Sequence, residues 1–320
     1  MSDAIIESEK STNVRTVKSK KSTNVRVLNT RERLLRGGIG LLDRISPRFA
    51  SLAAERLFLT PRGHERPEWE SAMLGSARRG SVLYGNQQLP TYTWGEGFER
   101  VLLLHGWEGR GSQLAAFVPP LLAAGYQVIA VDLPGHGDAA PALSSVVDFG
   151  HAVSTLVQRL GPFAGVIGHS MGAAATALAH TFSNFEARLV LIGAPRSPRG
   201  FLDGFTRYLG LSARAKAGLE QRIAQRFGLG IDAVDVARLG PSIALPTLII
   251  HDQNDNIVPF EHGLALVAAL PQASLMSTAQ LGHRRILRDA SVIAAAVSFI
   301  QRNARFALHP AQASAGSVAA

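Results

Sequence analysis

From about residue 100 the chain alternates between short, solid apolar runs and longer stretches in which apolar residues recur every three or four positions. The runs at 101–104, 127–131, 164–167, 189–192 and 247–250 lack the in-out alternation of a half-exposed strand, as strands covered on both faces do. A shorter run at 274–276 extends the series. Residues 114–124, 149–160, 171–182, 260–270 and 289–302 carry helical spacing between and after them. Ahead of the series, runs at 81–84 and 90–94 flank Gly85-Asn86, which predicts an antiparallel hairpin at a sheet edge. The pattern predicts an α/β fold, a mostly parallel sheet with helices on both faces.

Two regions depart from this rhythm. Residues 196–241 are richer in Arg and Gly, with helical periodicity around 201–211 and 219–227. They read as a helical cap inserted into the sheet domain. Upstream, Leu34, Leu35, Leu41, Leu42 and Ile45 recur at helical spacing until Pro47 interrupts them. This predicts an amphipathic lead-in that packs on the main domain or touches a membrane or partner. The expected organisation is a basic, disordered tail over 1–36, the capped domain over 37–303, and a flexible small-residue tail over 304–320. The segment Lys-Ser-Thr-Asn-Val-Arg occurs at 10–15 and again at 21–26. Two polar copies of six residues bury no common face and build no repeat fold.

Composition narrows the chemistry. The absence of cysteine excludes disulfides, thiolate zinc sites and a Cys nucleophile, and it suits a reducing, cytoplasmic setting. No apolar run approaches the ~18 residues of a membrane span, and the N-terminus has no apolar centre of the kind a secretory leader needs. The net charge is +9, and residues 1–36 hold nine Lys or Arg against four acids, so the tail carries +5 of it. A solvated arm is the expectation; contact with an anionic membrane surface is the alternative, and no nucleic-acid partner is expected.

Gly168-His169-Ser170-Met171-Gly172 fits Gly-x-Ser-x-Gly, a pattern that is weak alone in a chain with 31 glycines. Its context strengthens it: a buried strand precedes it and a helix opens at Met171. A nucleophile elbow needs that sharp strand-to-helix turn, and the helix start offers unpaired N–H groups to a developing oxyanion. His105-Gly106-Trp107-Glu108-Gly109 sits at an earlier strand-to-helix turn and can present a second backbone donor. We assign the pair of donors to Trp107 N–H and Met171 N–H, with the Trp107 ring as a possible wall of the acyl pocket. The serine needs a base, and the base needs an orienting carboxylate. Of ten histidines, His283 follows the last predicted strand at the sheet's carboxyl edge, where open α/β sheets place their ligands. Asp255 lies just past the strand at 247–250. Asp252 is the other candidate, so close to the strand end that bonding its own turn is the simpler role. Ser170, Asp255 and His283 stand in the chain order Ser…Asp…His.

With these residues in view, the stretch from about 92 to 301 resembles the α/β-hydrolase superfamily. It looks most like small bacterial members with His-Gly-Trp-Glu-Gly after the third strand and Gly-His-Ser-Met-Gly at the elbow. Asp132-Leu133-Pro134-Gly135-His136-Gly137, the loop 255–259 and Gly282-His283 resemble further family turns. The resemblance implies Ser170 as nucleophile, Asp255 as orienting acid, His283 as general base, and an oxyanion hole at Trp107 and Met171. It implies no metal and no organic cofactor. A Ser at the elbow argues against epoxide hydrolase or haloalkane dehalogenase chemistry, whose relatives place Asp there. The expected activity is hydrolysis of a small or medium carboxylic ester through an acyl-enzyme. Thioester, lactone or C–C bond hydrolysis and acyl transfer are alternatives on the same triad, and a non-catalytic binding protein is a further one. The rate should rise with pH as the imidazole base becomes neutral.

Overall fold

A computed structural model describes residues 30–301. Three helices precede the sheet: α1 (Thr30–Ile45), α2 (Pro47–Leu59) and α3 (Glu68–Gly75). Pro47 stands at the first position of α2, where its missing N–H costs nothing and its fixed φ suits a helix start. The interruption read from the sequence is thus a boundary between two helices.

The hairpin forms as expected from β1 (Arg78–Tyr84) and β2 (Gln87–Trp94), with Gly85 at a left-handed φ of 57° in the turn. β3 (Arg100–Leu104), β4 (Gln127–Val131), β5 (Gly165–His169), β6 (Arg188–Ile192), β7 (Thr247–Asp252) and β8 (Ala273–Thr278) complete one sheet. Its order is β1-β2-β4-β3-β5-β6-β7-β8, antiparallel at β1, β2 and β4 and parallel from there on. From β3 the chain passes to β4 on one side and returns to β5 on the other. The sheet therefore reverses direction at β3 and β5, and a crevice opens beyond their carboxyl ends.

Both faces are covered. Leu102 and Leu104 point into one core, with α5 (Val146–Leu160) and α6 (Met171–Ser183) packed on it. Val101 and Leu103 point into the other, against residues of α4 (Val118–Ala123) and of the C-terminal helix at 290–301. The stretch 114–124 is not one helix. A 3₁₀ segment, Gly111–Phe117, precedes α4, because Pro119 and Pro120 are tolerated only in a first helical turn.

The cap consists of α7 (Arg199–Leu209) and α8 (Ala213–Phe227), followed by the short α9 (Val236–Leu239). The chain then returns through α10 (Glu261–Ala269), α11 (Gly282–Arg285) and α12 (Ala290–Gln301). The cap is not the insert alone, since α1 and α2 pack on α7 and α8 around a third core. Ile39, Ala54, Leu59, Leu202, Leu209, Leu219 and Ile223 are buried there together. Two polar anchors fix the pairing. Asp43 accepts hydrogen bonds from the Ser212 N–H (2.6 Å) and hydroxyl (2.9 Å), and Ser212 in turn caps α8. The buried Glu55 carboxylate takes the guanidinium groups of Arg222 and Arg226. Burial works to raise the Glu55 carboxyl, but the two arginines outweigh it and hold it below its usual range.

This corrects the expected tail at 1–36: residues 30–36 are the first two turns of α1. Arg31, Arg33 and Arg36 gave that stretch its tail-like polarity, yet they stand on a helix whose Ile39 and Asp43 turn inward. The two hexapeptide copies and the segment 304–320 lie outside the described residues.

Candidate active site

The strand β5 delivers Ser170 into the turn before α6 with φ 53° and ψ −123°. For a residue with a Cβ, such a conformation costs on the order of 1–3 kcal/mol and persists only where its surroundings enforce it. Here Ser170 N–H is bonded to the Ile192 carbonyl of β6 at 2.8 Å, and α6 begins at the next residue. Glycine clears the space on either side. A Cβ on Gly172 would strike the His105 carbonyl, and one on Gly106 would lie 2.7 Å from Ser170 Cβ. The turn after β3 and the elbow after β5 can therefore sit in contact, as the register pairing of Leu104 with Gly168 requires.

His283 reaches this serine from α11, the short helix that follows β8. Its Nε2 lies 3.0 Å from Ser170 Oγ, and its Nδ1 lies 2.6 Å from Asp255 Oδ2. With the ring proton on Nδ1, the imidazole donates to Asp255 and accepts from the serine hydroxyl. Asp255 is buried, and its other oxygen accepts from the N–H groups of Ile257 (2.8 Å) and Val258 (2.9 Å). Burial alone would raise this carboxyl. The His283 ring and the two N–H donors outweigh it and keep the group below its ordinary value, so it is ionised at neutral pH. The three residues picked from the sequence are thus brought into one hydrogen-bonded chain.

Asp252 is not in that chain. Its Oδ2 accepts from Thr278 Oγ (2.8 Å) and Leu281 N–H (3.0 Å), and its Oδ1 from Asn254 N–H (2.9 Å). It ties the acid loop to the loop that carries His283. His169 acts on the same loop, its Nε2–H donating to the His283 carbonyl at 2.9 Å. His251 holds the acid loop through the Val258 carbonyl at 2.9 Å. The Asn254 bond is the local-turn role expected of Asp252 from the sequence; its bonds to Thr278 and Leu281, and the roles of His169 and His251, need partners brought from elsewhere in the chain or across a loop.

Trp107 and Met171 both line the cavity beside Ser170. The turn that carries Trp107 is braced by His105, which accepts from Leu133 N–H through Nε2 (3.0 Å) and donates from Nδ1 to the Gly106 carbonyl (2.7 Å). This fixes the His105 tautomer. Burial lowers its pKa to about 4, so the ring stays neutral. The Trp107 ring meets His136 edge-on at 5.0 Å between centroids. Just beyond, Arg110 forms a buried bidentate pair with Glu70 (2.6 and 2.9 Å), to which Ser112 adds a hydrogen bond of 2.6 Å. That network binds α3 to the turn.

The cavity over Ser170 holds about 760 Å³. Leu57 and Phe58 of α2, Phe201 and Phe205 of α7, and Ile223 of α8 give it an apolar roof, while Arg62, His64, Arg284 and Arg288 stand at polar parts of its wall. The sequence assigned no part of the site to residues 57–70. Their contribution depends on α2 being anchored to the cap, a contact between distant segments. Among the described residues, no group of three or more His, Asp or Glu is arranged to hold a metal ion.

Comparison with known proteins gives a consistent picture. The family model described as the alpha/beta hydrolase family matches residues 101–296. A 2-hydroxy-6-oxononadienedioate/2-hydroxy-6-oxononatrienedioate hydrolase from Pseudomonas putida is 28% identical over 263 residues, covering 68% of this chain and 91% of its own. A pimeloyl-(acyl-carrier protein) methyl ester esterase from Aromatoleum aromaticum is 28% identical over 236 residues, covering 58% of this chain and 92% of its own. Among solved structures, mouse alpha/beta hydrolase domain-containing protein 10 superposes with a TM-score of 0.55 at 16% identity, covering 72% of this chain and 99% of its own. At that identity the likeness is one of fold.

Proposed function

The chain belongs to the alpha/beta hydrolase family, and from that premise we propose that it is a serine hydrolase that cleaves a small or medium carboxylic ester through an acyl-enzyme on Ser170. The observation that carries this reading is the chain of contacts Ser170–His283–Asp255, at 3.0 and 2.6 Å. His283 takes the proton from the serine hydroxyl as Oγ attacks the ester carbonyl. The tetrahedral oxyanion is met by the Trp107 and Met171 N–H groups, donors set before the reaction begins. Collapse expels the alcohol, which receives the proton from His283, and water then hydrolyses the acyl-enzyme with His283 again as base. Asp255, ionised and buried, keeps the proton on Nδ1 and stabilises the imidazolium as it forms. The apolar roof supplied by α2, α7 and α8 suits an acyl chain.

Hydrolysis of a C–C bond next to a carbonyl is the second reading. It is favoured by the Pseudomonas putida relative, whose name denotes such a dioate substrate class. A panel of p-nitrophenyl esters of graded chain length, run beside thioesters, lactones and a vinylogous 1,5-diketo acid, separates the two. The ester reading expects the highest kcat/KM on an ester and none of that activity in Ser170→Ala. Turnover confined to the diketo acid would replace it with the second reading.

A further inference from the structure

The outward face of α1 and α2 is apolar where a soluble surface is ordinarily polar. Leu34, Leu41 and Ile45 follow one another at intervals of seven and four residues, which places them on a single stripe of α1. They are between 60% and 73% exposed, whereas Ile39 and Asp43, on the opposite side, are buried against the cap. Beyond Ser46, α2 adds two more exposed apolar side chains, Phe49 (58% exposed) and Leu52, about one helical turn apart. Single exposed leucines need no explanation, but five large side chains exposed along two consecutive helices do.

The exposed charge along these two helices is mostly positive, with the half-buried Glu32 of α1 as the exception. Arg31, Arg33, Arg36, Arg44, Arg48 and Arg56 are all exposed, while the carboxylates of Asp43 and Glu55 are buried and spent on cap anchors. Arg33, Arg36 and Arg44 line an open groove beside Leu41. An apolar stripe rimmed by arginines on a helix lying along the surface is the pattern of an interfacial membrane anchor. No helix among the described residues is long and apolar enough to cross a bilayer. Asp43 and Glu55 hold α1 and α2 to the cap on their inner side, so docking through the outer side requires no unfolding of the cap.

We propose that the α1–α2 face docks the protein on an anionic lipid surface, with the leucine, isoleucine and phenylalanine side chains entering the headgroup region and the arginines pairing with lipid phosphates. Cosedimentation of the full chain with vesicles tests it. Vesicles of phosphatidylcholine and phosphatidylglycerol in equal parts should bind the protein, and phosphatidylcholine alone should bind it at least about tenfold more weakly, given the weight of several basic residues near an anionic surface. Leu41→Asp/Ile45→Asp should lower binding to the mixed vesicles by about tenfold or more, with an unchanged circular dichroism spectrum because neither side chain is in a core. Arg33→Gln/Arg44→Gln should weaken it by about fivefold per arginine, an effect that raised salt mimics. Absent binding to anionic vesicles would overturn the proposal. So would undiminished binding of the double-aspartate variant, which would assign the interaction to the basic residues before α1. A dimer in analytical ultracentrifugation that the same double variant dissociates would give the face to a second copy instead and equally overturn it.

Discussion

Ser170 is held in a strained conformation by neighbours on both sides, His283 is within bonding distance of it, and Asp255 is within bonding distance of His283. Two carboxylates stand near this base loop, and their contacts assign them different work. Asp255 touches the imidazole; Asp252 touches Thr278 and Leu281 and positions the loop. Asp255→Asn should therefore lower kcat by about 10³–10⁴ with little change in KM, because an amide favours the wrong imidazole tautomer. Asp252→Asn should cost only about 10–100-fold, as a misplacement of the base does. Steady-state kinetics on one ester checks both, and the reverse order of severity would exchange the two roles. At this scale the sequence was informative because Ser170, Asp255 and His283 each lie just past the end of a strand, within a short segment whose residues are adjacent in the chain. The choice between Asp252 and Asp255 rested on loop position, and the contacts of Thr278 and Leu281 now separate them physically.

At the scale of elements, the cap is a composite of one inserted pair of helices and one pair from the N-terminal side. The periodicity of residues 34–45 was legible as an amphipathic helix, and of the roles it left open the structure shows packing on the cap through Ile39 and Asp43, with Leu34, Leu41 and Ile45 exposed. What could not be read was the partner. Asp43 meets Ser212 across 169 residues of chain, and Glu55 meets Arg226 across 171. Local patterns carry no record of contacts at that separation. Glu55→Gln removes the buried charge that both arginines address, and a charged hydrogen bond of this kind is worth about 1.5–3 kcal/mol. The variant should lose about that much unfolding free energy, read as a lower urea midpoint. It should also raise KM for an apolar ester more than it lowers kcat, since α2 and α8 roof the cavity away from the reacting atoms. An unchanged KM would mean that the N-terminal helices do not shape the acyl site.

Across the whole molecule, three histidines that do no chemistry make stability depend on pH. Burial depresses His105 to about 4, and His136 and His169 to about 3. In the unfolded chain the same rings titrate near 6.5. Between these limits the unfolded state binds protons that the folded state refuses, so stability is full above about pH 6.5 and falls as the pH drops toward 4. At pH 5 each ring costs about 2 kcal/mol. The urea midpoint should therefore fall steeply from pH 8 to pH 5, and His169→Asn should remove about a third of the change contributed by the three. A midpoint independent of pH over that range would contradict the burial of these rings as neutral groups. The sheet order at the molecular scale was legible only as a class. Solid apolar runs announce strands covered on both faces, but the reversal of strand order between β3 and β5, where the crevice opens, is a property of topology that no single run records.

Covalent trapping asks whether Ser170 is a nucleophile activated by His283. The purified protein treated with a fluorophosphonate probe should gain one phosphonyl group, mapped by peptide mass spectrometry to Ser170, at a rate that His283→Ala reduces by about 10³-fold or more. Ser170→Ala should remain unlabelled. A wild-type protein that stays unlabelled, or a label that maps to another residue, would contradict the account.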